Sequence, residues 1–365
     1  FMYDTNDGKS YKGEPTVNLA GSIVKNFSSW NGLTGSTEYY TTSTGGQGVK
    51  LITTASGGVQ WYSFSTIYNI QASTQYTISA TVKYIGGTPH PNLLYVRQYD
   101  ANGQTSESGK FTTANERDLG GGWKRIWRTF TTDATTTHIN LQGYEYTTGK
   151  TIHIQDLQFE QKGHATQFVN GTRSTTQGLL DLTKNETITL SNMSYDSNAQ
   201  MSFDGTDDQF LISNPGVGTS FSIETVIKVD NYSNGPIFIS PNSVGIDHFF
   251  RVNSNGTIRA NFVEVPDTAN DGYTSTTVIN TGEYYHVVIS KTPSNGTIYV
   301  NGVAEDSHTP TLAAAAWSGD WRIGARWNNT YNLNGEIPIL KVYNKALTAS
   351  EVLQSYNAIK DRFIR

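Results

Sequence analysis

The chain has 365 residues, enough for two domains that each bury a core. Only 16% of its residues are charged, the net charge is -5 with no basic run, and there is no cysteine. This argues against nucleic-acid binding or attachment to an anionic membrane and excludes disulfides and thiolate chemistry. Frequent glycine (35) and tyrosine (21), beside 10 prolines, point to an all-β, turn-rich protein, and no apolar run reaches the roughly 18 residues that span a bilayer.

Residues 1–15 read as an N-terminal segment: Phe1-Met2-Tyr3-Asp4-Thr5 has neither the basic nor the apolar part of a signal peptide, so the segment is open to continuation from a longer chain. From 16 to 173, short β-branched and aromatic runs alternate with Gly, Asn and Ser turns. The pattern predicts strands over Val49–Thr53, Val59–Phe64, Gln75–Tyr84, Leu93–Tyr99, Lys124–Thr131, His138–Gly143 and Thr151–Glu160. In the third, Tyr76, Ile78, Ala80, Val82 and Tyr84 alternate with polar residues, as one buried face of an antiparallel jelly roll requires. Residues 174–200 read as a polar joint that includes the first strand of a second domain, 174–365.

That second domain is expected to form strands over Ser220–Val229, Phe249–Val252, Thr257–Val263, Tyr284–Ser290, Thr297–Val300, Trp321–Gly324 and Glu336–Tyr343. Asn255-Gly256, Asn295-Gly296, Asn301-Gly302 and Asn334-Gly335 supply turn dipeptides. One helix is predicted, from Ala349 to about Lys360: Thr348 caps it, Glu351 completes a capping box, and Leu347 with Val352 forms a hydrophobic staple. Val352, Leu353, Tyr356 and Ile359 make its apolar stripe. The fold class is therefore two tandem antiparallel β-sandwiches with one short C-terminal helix.

Several segments carry a family resemblance. Phe203-Asp204-Gly205, Phe221-Ser222-Ile223-Glu224, Tyr285-His286-Val287-Val288, Tyr299-Val300-Asn301-Gly302, Ile323-Gly324 and the strand-to-helix ending after Gly335 resemble, in that order, laminin-G-like, concanavalin-type domains. Tyr76 to Lys83, Trp123-Lys124-Arg125 and Ile154 to Glu160 resemble jelly-roll carbohydrate-binding modules. The flanks of this first half, Gly13 to Leu19 and Gly163 to Ser174, and the tail Tyr356 to Phe363 are similar to borders and endings of such modules in structural proteins of tailed bacteriophages. The resemblance implies a non-enzymatic virion protein that works outside the cell. Its implied partners are other virion proteins, a host-surface glycan and further copies of itself. An architectural role without a sugar ligand, and accessory modules of a secreted glycanase, are the alternatives.

The chemistry-bearing residues fit binding better than catalysis. Concanavalin-type hydrolases set their carboxylates on one strand as Glu-x-Asp-x-x-Glu, and no such run exists; Glu224 stands alone and Glu305-Asp306 would point to opposite faces. Seven histidines are scattered singly, with His286 in a structural strand. No cofactor is expected, and calcium is the one metal to weigh. Asp204, Asp207 and Asp208 offer hard oxygen ligands in a turn, although the acidic pair that laminin-G-like relatives carry in the closing strand is replaced by Pro338-Ile339, and turn capping is the competing role. Sugar binding needs aromatic faces with planar polar neighbours. In the first domain Trp61, Tyr62, Tyr84, Tyr95, Arg97 and Tyr99 are candidates. In the second, the loop Arg326-Trp327-Asn328-Asn329-Thr330-Tyr331 is. Aromatic side chains also fill jelly-roll cores, which is the competing reading for each.

Overall fold

A computed structural model describes residues 1–20, 35–53, 60–87, 93–108, 115–145, 149–196, 200–241, 249–261, 272–309 and 319–364. The ends predicted at Val59 and Val263 lie outside the described residues, as do the side chains of Trp61 and Tyr62. The chain forms two compact units. One comprises 15–173 with 197–199, and the other 1–14, 174–196 and 200–365. Both are built of antiparallel sheets, and the described residues contain one helix.

In the unit centred on 15–173, a six-stranded sheet runs in the order Gly35–Thr41, Gln47–Thr53, Thr151–Glu160, Gln75–Ile85, Trp123–Thr131, Glu116–Gly120, and a four-stranded sheet in the order Gln60–Tyr68, His138–Glu145, Tyr95–Asp100, Gly103–Ser108. Tyr76, Ile78, Ala80 and Val82 enter the core as their alternation predicts. The opposite face of that strand, expected in water, is buried too. Thr77 donates to the Lys162 carbonyl at 2.9 Å, and Ser79 Oγ accepts from Arg125 at 2.7 Å. The strands at Gly35, Gly103 and Glu116 were not predicted; they carry few apolar residues, and the last two are mostly exposed edges with no hydrophobic period to read. The two flanks of this half meet: Thr172 pairs with Val17 and Arg173 with Thr16, while the Asn18 amide donates to the Leu157 and Val169 carbonyls.

In the other unit, one sheet orders Ser194–Tyr195, Met201–Asp204, Asn334–Tyr343, Phe221–Asn231, Tyr284–Lys291, Gly296–Val300 and Val303–His308. The second orders Ile188–Ser191, Gln209–Ile212, Trp321–Ile323, Ile237–Pro241, Phe249–Val252, Thr257–Asn261 and Tyr273–Val278. The N-terminal residues, set apart in the sequence reading, are part of this unit. Met2–Asp4 pairs with Ile339–Lys341, and fully buried Tyr3 donates from its hydroxyl to the Ile337 carbonyl at 2.9 Å and meets Phe210 edge-on.

Two turn assignments need correction. Asn334-Gly335 lies inside the closing strand, where a β-carbon at Gly335 would fall 2.0 Å from the Lys228 carbonyl oxygen. Gly296 likewise sits in a strand, and a β-carbon there would enter the Tyr273 ring. Close approach, not turn geometry, requires both glycines. At Asn301-Gly302 both φ angles are positive, 50° and 81°, as a tight hairpin demands.

The helix spans Ala349–Phe363, with Thr348 as N-cap and the capping box to Glu351 formed. Leu347 and Val352 are buried in one cluster and Ile359 in another. Leu353, expected in the apolar stripe, is 48% exposed. It sits on the solvent side of the arc that the buried pair defines, because Val352 and Ile359 are seven residues apart and set the contact line by themselves.

Candidate functional site

In the C-terminal unit, the strand Trp321–Ile323 ends at Gly324, whose φ of +90° and contact with the Phe203 ring leave no room for a side chain. The loop that follows is closed by Leu333 N donating to Gly324 O at 2.8 Å and is braced inside by Asn329 N to Arg326 O and Arg326 N to Thr330 O. Asn329 and Tyr331 both take φ near +56°, the left-handed conformation of tight turns. Trp327 is half-buried, Asn328 and Thr330 are exposed, and Tyr331 is exposed with the Arg326 guanidinium 5.7 Å from its ring. Arg326, Trp327, Asn328 and Tyr331 thus share one rigid loop. Asn329 does not join them as a free group, since its Oδ1 accepts from Gln209 Nε2 at 3.4 Å and from the Arg322 guanidinium.

The same contacts bring this loop to the acidic turn. Asn332 donates its amide to the Thr206 carbonyl, so the aromatic loop and Asp204, Asp207 and Asp208, read separately in the sequence, are neighbours. Carboxylate oxygens of the three aspartates lie within 4.8 Å of one another. Two of the carboxylates brace the turn itself, with Asp204 Oδ1 accepting from Thr206 N and Asp208 Oδ2 from Asp204 N, both at 2.7 Å, while Asp207 Oδ2 accepts from Asn192 Nδ2 at 2.9 Å. Burial pushes the Asp208 carboxyl above its ordinary range, beyond what hydrogen bonds from Ser194 and Asp204 take back.

In the unit of 15–173, the outer face of the four-stranded sheet carries a row of rings. His138 pairs with Tyr68 on one side and Tyr99 on the other, and the rings stack at 5.4 Å and 4.9 Å with interplanar angles of 27° and 12°. Tyr68 stands on the edge strand and is 69% exposed, so its outer ring face meets water. Thr66 donates to Asn140 Oδ1 at 2.7 Å, and the Arg97 guanidinium bonds Glu107 at 3.1 Å. Tyr95, Arg97 and Tyr99 share this face by alternation, as expected. Tyr95, however, is fully buried: Arg97 lies over its ring at 5.7 Å and its hydroxyl is tied to Gln142. It cannot stack on a ligand. Tyr84 packs partly buried against the core. Sequence reading missed Tyr68, His138 and Asn140; their period-2 placement was visible, but only the strand pairing aligns them.

Glu224 is not isolated. It is completely buried, and its carboxylate accepts from Lys341 Nζ at 2.7 Å, Ser355 Oγ at 2.5 Å and Tyr343 OH at 2.7 Å. His286 Nε2 lies 3.4 Å from Glu224 Oε1, an electrostatic neighbour without good hydrogen-bond geometry, and its ring faces Tyr356 at 5.8 Å. Burial alone would raise the Glu224 carboxyl. The His286 ring, the Lys341 charge and the bonds from Lys341 and Ser355 outweigh it and hold the pKa at about 2. The group anchors the helix to the sheet and is closed to substrate.

Residues 204–353 match a laminin G family model, described as the concanavalin A-like lectin/glucanases superfamily. This part of the chain has a lectin-like fold. The search of curated proteins found no match. Similar solved structures include domain 4 of AbnA, an extracellular arabinanase from Geobacillus stearothermophilus, in complex with arabinotriose (18% identity, 50% of this chain and 92% of that one, TM-score 0.38). The heptameric SAP-like pentraxin from Limulus polyphemus is another (20%, 42% and 80%, TM-score 0.34). A third is the botulinum neurotoxin serotype D binding domain (11%, 51% and 49%, TM-score 0.38). The chain spans about half the length of that binding domain, and 46% of the HCR/D mutant that it also matches.

Proposed function

We propose that the chain is a carbohydrate-binding surface protein without catalytic activity, displayed on a tailed-phage virion and contacting host glycan. The observation that carries the binding reading is the ring row Tyr68, His138 and Tyr99, whose end member presents an open aromatic face beside Asn140 and Arg97. Large exposed aromatics cost solvation and give the sandwich no core, whereas a pyranose face supplies the apolar partner that they lack. The loop bearing Trp327, Tyr331, Arg326 and Asn328 is a second surface of the same chemistry, within the segment that matches the lectin family model. The lack of catalysis is supported by Glu224, whose carboxylate is spent on Lys341, Ser355 and Tyr343. The virion setting rests on the sequence resemblance of residues 13–19, 163–174 and 356–363.

A glycan array probed with the whole chain tests the reading. Specific binding to one glycan class is the expected result. Silence on the array, together with tight capture by a purified phage head or tail protein, would replace adhesion with an architectural role.

A further inference from the structure

We infer that the outer face of the six-stranded sheet binds an anionic sugar, at a site that involves neither Tyr68 nor Trp327. Strand pairing sets Glu38, Lys50, His153, Lys83 and Trp123 in one row across five neighbouring strands. Their chain neighbours Val49, Ile154 and Val82 enter the core, so the row faces outward. Directly paired side chains stand about 5 Å apart at Cβ, and like charges so placed repel. Here a histidine is set between two lysines. Burial, with the charges of Lys50 and Lys83, holds the His153 imidazole below its ordinary pKa. The carboxylate of the row, Glu38, is exposed and bonds Lys50 at 3.2 Å, while Lys83 lies 5.9 Å from the Trp123 ring. Positive charge thus outweighs negative along the row, and an anion set over His153 relieves the repulsion on both sides.

The aromatic frame makes the partner a sugar. His153 is met edge-on by Trp123 at 5.6 Å and by Tyr40 at 6.1 Å. Tyr40 stands on the strand Gly35–Thr41 and donates its hydroxyl at 3.0 Å to Gln155 Oε1, two strands away on Thr151–Glu160. Between them is Gly48, where a β-carbon would fall 2.4 Å from the ring. The half-buried ring therefore lies along the sheet, one face on Gly48 and the other turned outward. It stays neutral in that pose, since burial and then Asp156 push its hydroxyl up to about 12. A pyranose stacked on the outward face brings its substituents to Lys50 and His153, which lie two residues, roughly 7 Å, further along their strands. A sugar carboxylate and a sugar phosphate offer these groups the same anionic oxygens. Either anion favours the imidazolium, so binding takes up a proton at His153.

The test is titration calorimetry on the whole chain with trigalacturonate, sialyllactose and a galactose phosphate monoester, each beside its neutral counterpart: methyl-esterified trigalacturonate, lactose and galactose. At least one charged probe should bind about tenfold or more tightly than its counterpart, the worth of a charge-assisted hydrogen bond. Which probe binds separates carboxylate from phosphate. With a carboxylate probe, affinity should rise several-fold from about pH 7.5 to about pH 5.5, as His153 gains its proton. Lys83→Gln and His153→Gln change outward groups, so each should weaken binding about fivefold or more while melting within about 2 °C of the parent. His153→Gln should also flatten the pH dependence. No binding of any charged probe at millimolar concentration would overturn the site, as would equal binding of charged and neutral probes, or unchanged affinity in both variants. The Tyr68 and Trp327 surfaces are read by their own variants, so this site can fail while they stand.

Discussion

Asp4 accepts both arms of the Arg362 guanidinium, at 2.8 and 3.0 Å, across 358 positions of sequence. The pair ties the first strand to the last helix, and both lean on the closing strand Asn334–Tyr343, which Met2–Asp4 extends as its hydrogen-bonded neighbour. The N-terminal residues are thus structural parts of the C-terminal unit. Tyr3→Ala should destabilise that unit by roughly 3–5 kcal/mol, the cost of emptying a buried aromatic site. Tyr3→Phe, losing only the bond to Ile337, should cost about 1 kcal/mol. Arg362 is partly exposed, so Arg362→Ala should cost no more than about 1 kcal/mol. Urea denaturation checks the order; equal effects of the three would dissolve the argument.

The helix offers a paired comparison of adjacent residues. Val352→Ala should cost about 2 kcal/mol, because its side chain is buried with Leu347 and Val288, whereas Leu353→Ala should stay within about 0.5 kcal/mol. The reverse ranking in thermal or chemical denaturation would mean that the helix docks through another face.

What the sequence made legible was local. The cap at Thr348 and the box with Glu351 need only residues three apart, and the buried alternation of Tyr76 to Val82 needs only one strand. The reason for Gly335, by contrast, is the Lys228 carbonyl on the paired strand, and the reason for Gly296 is a ring from the other sheet. Site reading failed in the same way. Alternation put Tyr95 on the right face but could not show that Arg97 covers it, nor that Tyr68 from another strand would continue the row begun by Tyr99. The junction of Asp204–Asp208 with the Trp327 loop depends on Met201–Asp204 and Asn334–Tyr343 being neighbours, which no single window contains.

Acid stability should report on Glu224. Its pKa is about 2 in the folded unit against an ordinary 4.5, so folding favours the ionised form. The contribution is complete above about pH 4.5 and is lost as pH falls from there towards 2, a loss of a few kcal/mol for a group this buried. Glu224→Gln removes that dependence and, by leaving Lys341 without its anion, should destabilise at neutral pH by about 3–5 kcal/mol. Stability measured by urea from pH 6 down to pH 2.5 decides the point, since parallel curves for parent and variant would place the acid sensitivity in other carboxylates.

The glycan surfaces make the last claim, and the two units allow it to be divided. Tyr68 is an exposed ring at the end of its row and contributes little to the core, so Tyr68→Ala should leave the melting temperature nearly unchanged. If a sugar ring rests on it, the variant should bind the array-selected glycan about 5- to 150-fold more weakly, the roughly 1–3 kcal/mol measured for stacking of bases on aromatics. Trp327 is half-buried, so Trp327→Ala should cost some stability as well as binding. Titration calorimetry on both variants assigns the contact: a loss confined to Tyr68→Ala puts the ligand on the four-stranded sheet, and a loss confined to Trp327→Ala puts it on the loop beside the acidic turn. A loss in both gives the chain two glycan contacts, one in each unit. Unchanged affinity in both variants would mean that the exposed rings serve a protein contact, and the carbohydrate reading would fall with them.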